Sequence, residues 1–220
     1  MTMRVFHFLN ERWGLDDLRK RRLKISLLPE LNDPFEFLAV TSSNPAIRNA
    51  FRVMKAEYSK IKGLLCFSRD WHNPVLWSHY ADKHRGVCLG FDVPDEAVDR
   101  VPYSRKRLPA NIEKLASPRR LNIKEATALL FTKYSHWRYE NEVRGFVTLE
   151  DCDPQTHLYY TGFSDRLRLT DVIVGAESEI TRAAIGDALG SLAPTVAARK
   201  ARLAFGSFRV VRQKNERLWT

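Results

Sequence analysis

The chain is poor in the residues that staple a fold, span a membrane or cradle a phosphate. Its 220 residues hold three cysteines, Cys66, Cys88 and Cys152, an odd number with no close-spaced pair, which speaks against a secreted disulfide framework. No run approaches the ~20 apolar residues of a membrane helix. The opening MTMRVFHFLNERWG has neither an apolar core nor a small-residue cleavage site, so the expectation is a cytoplasmic protein without a membrane partner. G-x-x-x-x-G-K-[ST], a G-x-G-x-x-G after a strand, G-x-S-x-G and H-E-x-x-H are all missing, which removes sequence support for P-loop, Rossmann, hydrolase-elbow and zincin chemistry. Cys66, His72, His79, His84 and Cys88 lie close together in the chain. His79 and His84, however, are about 140° apart around a helix, and no C-x-x-C or H-x-x-x-H occurs, so no metal is expected.

What the chain does have is positive charge. The formal net charge is +10, a field that gathers phosphate backbones, anionic lipids or anionic cofactors before any specific contact forms. The excess sits in RKRRLK (19–24), YSRKR (103–107), SPRR (117–120) and ARKAR (198–202). Spread this way, it fits either solvated helix faces or a groove for an extended polyanion.

Hydrophobic patterning describes an α+β chain. MRVFHFL alternates as a strand, NERWGLDDLRKRRLKIS reads as a helix running into a second strand, and two prolines in LLPELNDPFEFL make an ordered loop. Residues 44–60 read as a helix and GLLCFS (63–68) as a buried strand. In NPVLWSHYADKH, Asn73 is an N-cap with Pro74 at the first helical position, and Gly86 is expected to end that helix. GVCLGFD is then a strand, 93–120 a basic loop-rich insertion, NIKEATALLFTKYS a helix and NEVRGFVTL (141–149) a strand. The tail, about 166–212, reads as strand, helix, strand through RLRLTDVIVG, EITRAAIGDALGSLA and ARLAFGSFRVV. No repeat or composition shift marks a boundary, so residues 1–220 are taken as a single mixed domain.

Trp77 and Tyr80 stand three apart, neighbours on one helical face, with His79 and Asp82 beside them. Such a pair either covers core or forms an aromatic wall for a flat ligand. LNDPFE (31–36), CFS (66–68), WSHYADKHRGVCLGFD (77–92) and WRYENEVR (137–144) resemble the signature blocks of a bacterial family catalogued as domain of unknown function 2971. The arrangement is also similar to that of ADP-ribosyltransferases, whose H-Y-E trio binds NAD.

That resemblance implies a central antiparallel or mixed split sheet with peripheral helices, and NAD as co-substrate. It places His7 on the opening strand against a ribose, with His79 as its competitor, and Tyr80 as the ring that stacks on nicotinamide. Glu142 then stands at the start of a late strand as the catalytic carboxylate. Trp77 extends the aromatic wall, and Asn32 and Asp33 shape the loop beneath the pocket. An N-D-P-F turn is explained equally by Asx hydrogen bonding and proline stiffness. Arg4, Arg69 and Arg144 are candidates to neutralise the pyrophosphate.

Breaking a nicotinamide glycosidic bond develops positive charge on the sugar, which a nearby carboxylate stabilises. Glu142 takes that part. Glu140, two residues earlier on the expected strand and so on the same face, orients or deprotonates the acceptor. The competing expectation pairs both glutamates with Arg138 and Arg144 on an exposed edge. The expected activity is transfer of ADP-ribose to a macromolecule. Nucleic acid, RNA or single-stranded DNA, is preferred, contacted by Arg105, Lys106, Arg107, Arg119 and Arg120. A role in bacterial defence or as a toxin, with an antitoxin or other inhibitory partner, would follow from the resemblance. An NAD glycohydrolase with the same pocket and a basic nucleic-acid-binding or nuclease-like module are the alternatives.

Overall fold

In the computed structural model, residues 1–36, 40–41, 43–109, 128 and 131–220 are described. Eight segments join one curled sheet: β1 (Thr2–Leu9), β2 (Lys62–Ser68), β3 (Val87–Pro94), β4 (Asp99–Arg100), β5 (Glu142–Thr148), β6 (Arg168–Val174), β7 (Ala197–Leu203) and β8 (Val210–Arg212). Their order is β8-β7-β6-β3-β1-β2-β5-β4. Neighbours are antiparallel except β6 and β7, which run parallel. Among the described residues the α-helices are α1 (Glu11–Lys20), α2 (Pro45–Ile61), α3 (Pro74–Tyr80) and α4 (Arg182–Leu189). A parallel pair needs a crossover, and α4 supplies it between β6 and β7. The molecule is thus a mixed α+β domain with a large sheet and few helices.

β3 explains where the core lies. It is buried at Val87, Cys88, Leu89, Phe91 and Val93, because both of its faces are covered. Val87, Leu89, Phe91 and Val93 join Val5, Leu18, Ile185 and Leu189 in the main core, beneath α1 and α4. Cys88 joins Trp71, Leu76 and Trp77 on the side of α3. Short polar caps fix the helix starts: Asn10 Oδ1 accepts from Trp13 N before α1, and Asn73 Oδ1 accepts from Val75 N with Pro74 first in α3.

The sheet nearly parts between β1 and β2. β1 faces β3 along its whole length, from Thr2 opposite Pro94 to Leu9 opposite Val87, but meets β2 only at Phe6 opposite Ser68. The inner edge of β2 is then satisfied piecemeal, as a buried edge must be. Leu64 exchanges both backbone bonds with Ser26 at 2.9 Å each, and the Cys66 carbonyl accepts from His7 Nδ1 at 2.9 Å. A wedge-shaped opening results, with β1 on one side and β2 on the other.

Three expectations change. α3 stops at Tyr80, short of His84, because Asp82, Lys83 and His84 take φ values of 44°, 54° and 69°. This left-handed turn is held by Gly86 N to Ala81 O at 2.8 Å and by the Asp82–Arg85 ion pair at 2.8 Å. Gly86 is needed for close approach and not as a cap: a β-carbon there would lie 2.0 Å from Leu9 O. ARLAFGSFRVV is not one strand but the hairpin of β7 and β8. The expected helix NIKEATALLFTKYS lies mostly outside the described residues. Its end, Lys133–Tyr134, is a short strand paired with Tyr103–Ser104.

Candidate functional site

The wedge between β1 and β2 holds a cleft of about 220 Å³. Phe6, His7 and Phe8 of β1 form one wall, Cys66, Phe67 and Ser68 of β2 the other, and Tyr80 closes α3 against it. Asn32 comes from the loop after Ser26, and Lys133, Glu140, Glu142 and Arg144 line the remainder. His7, Asn32, Tyr80 and the Glu140–Glu142 segment are therefore brought together from four separate parts of the chain.

Beside that lining lies a buried ionic network. The Lys133 ammonium sits 2.6 Å from Glu140 Oε2, 3.0 Å from Glu142 Oε2 and 3.4 Å from Glu36 Oε1. Arg144 forks twice. Its Nη1 and Nη2 donate to Glu36 at 2.7 and 2.6 Å, and its Nε and Nη2 donate to Glu142 at 2.6 and 3.0 Å. Three carboxylates against two cations leave one negative charge when all are ionised.

The two glutamates differ in environment. Burial alone would raise Glu142, but Arg144 and Lys133 outweigh it and hold its carboxyl below the ordinary range. Burial raises Glu140 against the pull of Lys133, and the charge on Glu142 adds to the rise. Burial also opposes the charge on Lys133, yet Glu142, Glu36 and Glu140 keep it protonated above the usual lysine range. Glu142 accepts three hydrogen bonds. Glu140 accepts two, from Lys133 and from the Tyr80 hydroxyl at 2.5 Å, so it keeps more free acceptor capacity.

Tyr80 is in turn fixed by Asn32, whose Nδ2 donates to the phenol oxygen at 2.5 Å. Burial and the adjacent Glu140 push the Tyr80 phenol well up, so it stays a donor. The carbonyl of Cys66 can only accept, so His7 carries its proton on Nδ1 and presents a bare Nε2. Burial lowers His7, outweighing the Cys66 bond, which favours the neutral ring. Burial likewise raises the Cys66 thiol, which makes it a poor nucleophile.

Several expected roles need correction. Trp77 belongs to the core, not to an aromatic wall: it is fully buried, packs edge-on against Phe8 at 5.2 Å and donates Nε1–H to Trp71 O at 2.6 Å. His79 is exposed and faces a neighbouring open groove with Arg12, Arg19 and Tyr80, outside the cleft. Asp33 is buried and bonds Phe35 N at 2.9 Å, the Asx turn of the competing reading. Glu140 ends the 3₁₀ turn Ser135–Glu140, and Asn141 at φ 45° separates it from β5. Its carboxylate meets that of Glu142 through Lys133 and not through strand periodicity.

Nor do Glu140 and Glu142 sit on an exposed edge, because both are buried; Arg138 instead lies over the Tyr103 ring. Arg144 is spent inside the network and Arg4 is held by Asp92 and Asp171, so neither is free for a pyrophosphate. Arg105, Lys106 and Arg107 are exposed and line a separate groove. Arg119 and Arg120 lie outside the described residues.

Glu36, Lys133, Ser68 and Tyr103 escaped the sequence reading. Ser68 Oγ donates to Glu140 O at 2.7 Å, and Glu142 N donates to Tyr103 Oη at 2.9 Å; both fix the backbone that carries the glutamates. A lysine and a glutamate isolated between apolar neighbours, as in LFTKYS and DPFEFL, are the one signal that could have flagged the first two.

Among the described residues, no helix is long and apolar enough to cross a membrane. Neither a curated protein nor a solved structure matches the chain. Residues 76–145 match the model of a family described as Protein of unknown function (DUF2971), a stretch that takes in Tyr80, Lys133, Glu140, Glu142 and Arg144 and leaves His7, Asn32 and Glu36 outside it.

Proposed function

We propose that the cleft cleaves the nicotinamide–ribose bond of NAD and transfers ADP-ribose to a nucleic acid, on an ADP-ribosyltransferase-like fold. The observation that carries this reading is the joining of His7, Tyr80 and two unequal carboxylates where the sheet parts between β1 and β2. Paired acids whose environments drive them apart are the usual sign of divided acid–base labour. Glu142, held ionised, faces the positive charge that develops on the sugar. Glu140, raised by burial, takes the proton of the accepting nucleophile as it bonds to the anomeric carbon and nicotinamide leaves with the bonding electrons. The net negative charge of the network also suits a cationic pyridinium ring.

Size limits what enters. A cleft of about 220 Å³ is below the range for drug-sized ligands, roughly 300–1,000 Å³, so it suits one ring and its sugar. The phosphates would then lie over Tyr80 in the adjoining groove, where Arg12 and Arg19 stand with Glu11 and with Asp82, the last already paired to Arg85.

The test is incubation with NAD labelled on the adenine side, with single-stranded DNA, RNA, duplex and protein offered separately. Label should join a single-stranded polymer as nicotinamide appears. Glu142→Gln should bind NAD and lower nicotinamide release about a hundredfold or more, with its melting checked for folding. Free ADP-ribose without attachment would point to a glycohydrolase. No nicotinamide release with any acceptor would end the proposal.

A further inference from the structure

Behind the cleft is a second groove, of about 310 Å³, lined by Phe35, Ser104, Arg105, Lys106, Arg107, Thr132, Lys133 and Tyr134. Two of its walls are large rings left half in water, Phe35 at 50 % and Tyr134 at 46 % exposure. Leaving such rings unburied forgoes apolar burial, so a face of this kind asks for an occupant. Each ring is already backed on one side. The Arg107 guanidinium lies 4.7 Å from the Phe35 centroid, and His136 stacks on Tyr134 at 4.5 Å and 16°. Backing of this kind holds a ring in place.

The charge of the groove is of one sign. Arg105, Lys106 and Arg107 follow one another at its rim, and among the described residues no carboxylate pairs with any of them. Successive residues of a strand point to opposite faces, and here that alternation links two sites. Lys133 sends its ammonium into the ionic network beside the cleft, while Tyr134 turns outward into the groove. Lys133 borders both openings, so the two adjoin.

We propose that this groove is a base-stacking subsite for a single-stranded nucleic acid. The neighbouring base rests against Phe35 and Tyr134, and Arg105 and Lys106 hold its phosphates. Flat rings of any base identity can stack there, while the phosphates supply sequence-independent attraction. A duplex would have to unstack first. The proposal rests on nucleic acid being the acceptor in the reading above, but it concerns binding alone.

Its test therefore omits NAD. Fluorescein-labelled dodecathymidylate, the same backbone made wholly abasic, and a duplex of equal length are titrated by anisotropy at 50 and 200 mM salt, with AMP as competitor. The base-bearing single strand should bind 10- to 100-fold more tightly than the abasic strand. Phe35→Ala and Tyr134→Ala should each erase most of that difference while leaving abasic binding unchanged. Arg105→Glu with Lys106→Glu should weaken both strands and flatten the salt dependence. The two rings come from different segments, so a loop disturbed by Phe35→Ala leaves Tyr134→Ala as an independent reading.

Equal affinity for base-bearing and abasic strands, or equal losses on both in the ring variants, would overturn the subsite. So would AMP competing as well as the oligomer, which would make this a mononucleotide site, or binding to none of the strands. Base-selective binding without any nicotinamide release would leave this subsite standing and overturn the transfer reaction instead.

Discussion

Removing the Lys133 ammonium is the most demanding test of the buried network. Its nitrogen lies 2.6, 3.0 and 3.4 Å from Glu140, Glu142 and Glu36. At an effective dielectric of 20, unit charges about 3 Å apart attract by about 5–6 kcal/mol. Much of that offsets the cost of taking the ammonium out of water, and breaking one buried pair typically costs 3–5 kcal/mol. Lys133→Met keeps the apolar stem but leaves three carboxylates with Arg144 as their sole cation among the described residues, a net change from one negative charge to two. We expect a loss of about 3–5 kcal/mol, a large part of a domain's ordinary 5–15. With a urea slope of about 2–3 kcal/mol per molar, that is a fall in midpoint of about 1–2.5 M. Urea unfolding followed by tryptophan fluorescence reads it, since Trp71, Trp77 and Trp219 are buried. Adding Glu140→Gln removes one of the stranded charges, so the double variant should be the more stable of the two by about 1 kcal/mol or more. A Lys133→Met midpoint within about 0.3 M of wild type, or simple additivity in the double variant, would refute the account of the cluster as mutually dependent charges.

Other sites can be tested by the same unfolding measurements. Lys83 is exposed at φ 54° in the left-handed turn, so Lys83→Gly should stabilise by about 0.5–1 kcal/mol and raise the melting temperature by about 1–4 °C; a lower melting temperature would contradict the strain. Asp17 is buried, both its carboxylate oxygens lack hydrogen-bond partners among the described residues, and burial together with Asp16 pushes its pKa up to about 7. Because the folded value lies above the unfolded one, the stability it lends is full below about pH 4 and is lost as pH rises through 7. Wild type should therefore lose about 2–3 kcal/mol relative to Asp17→Asn between pH 5 and pH 8, and parallel pH profiles would show that Asp17 ionises freely in the folded state.

Local signals proved the most legible part of the sequence. Asn73 followed by Pro74 fixed the start of α3, and the apolar runs GLLCFS and GVCLGFD mark β2 and β3. His7, Tyr80 and Glu142 come as a trio from the resemblance and not from local pattern, and they lie around one cleft. Contacts between distant segments left no such trace. Trp77 and Tyr80 share a helical face by spacing, yet only Tyr80 reaches the cleft, because Phe8 of β1 claims the indole. Glu140 looked like a strand residue because the pattern of NEVRGFVTL hides the positive φ at Asn141. Glu36 and Lys133 come from distant segments and meet at 3.4 Å, and nothing in the immediate neighbourhood of either residue announces where its charge will be matched.

The single facing pair of Phe6 and Ser68 gives the sheet a mechanical asymmetry. Eight facing pairs bind β1 to β3, so any force that spreads the strands finds its softest line at the other edge of β1. On one side of that line stand β1, β3, β6, β7 and β8, and on the other β2, β5 and β4 with Glu142 and Arg144, while the main core runs beneath both, Leu65, Phe67 and Val143 packing with Val5 and Phe91. Side chains and not backbone bonds therefore hold that line closed, and widening the cleft there would draw the Phe67 ring away from His7 and Phe91, whose centroids lie 5.8 and 6.0 Å from it.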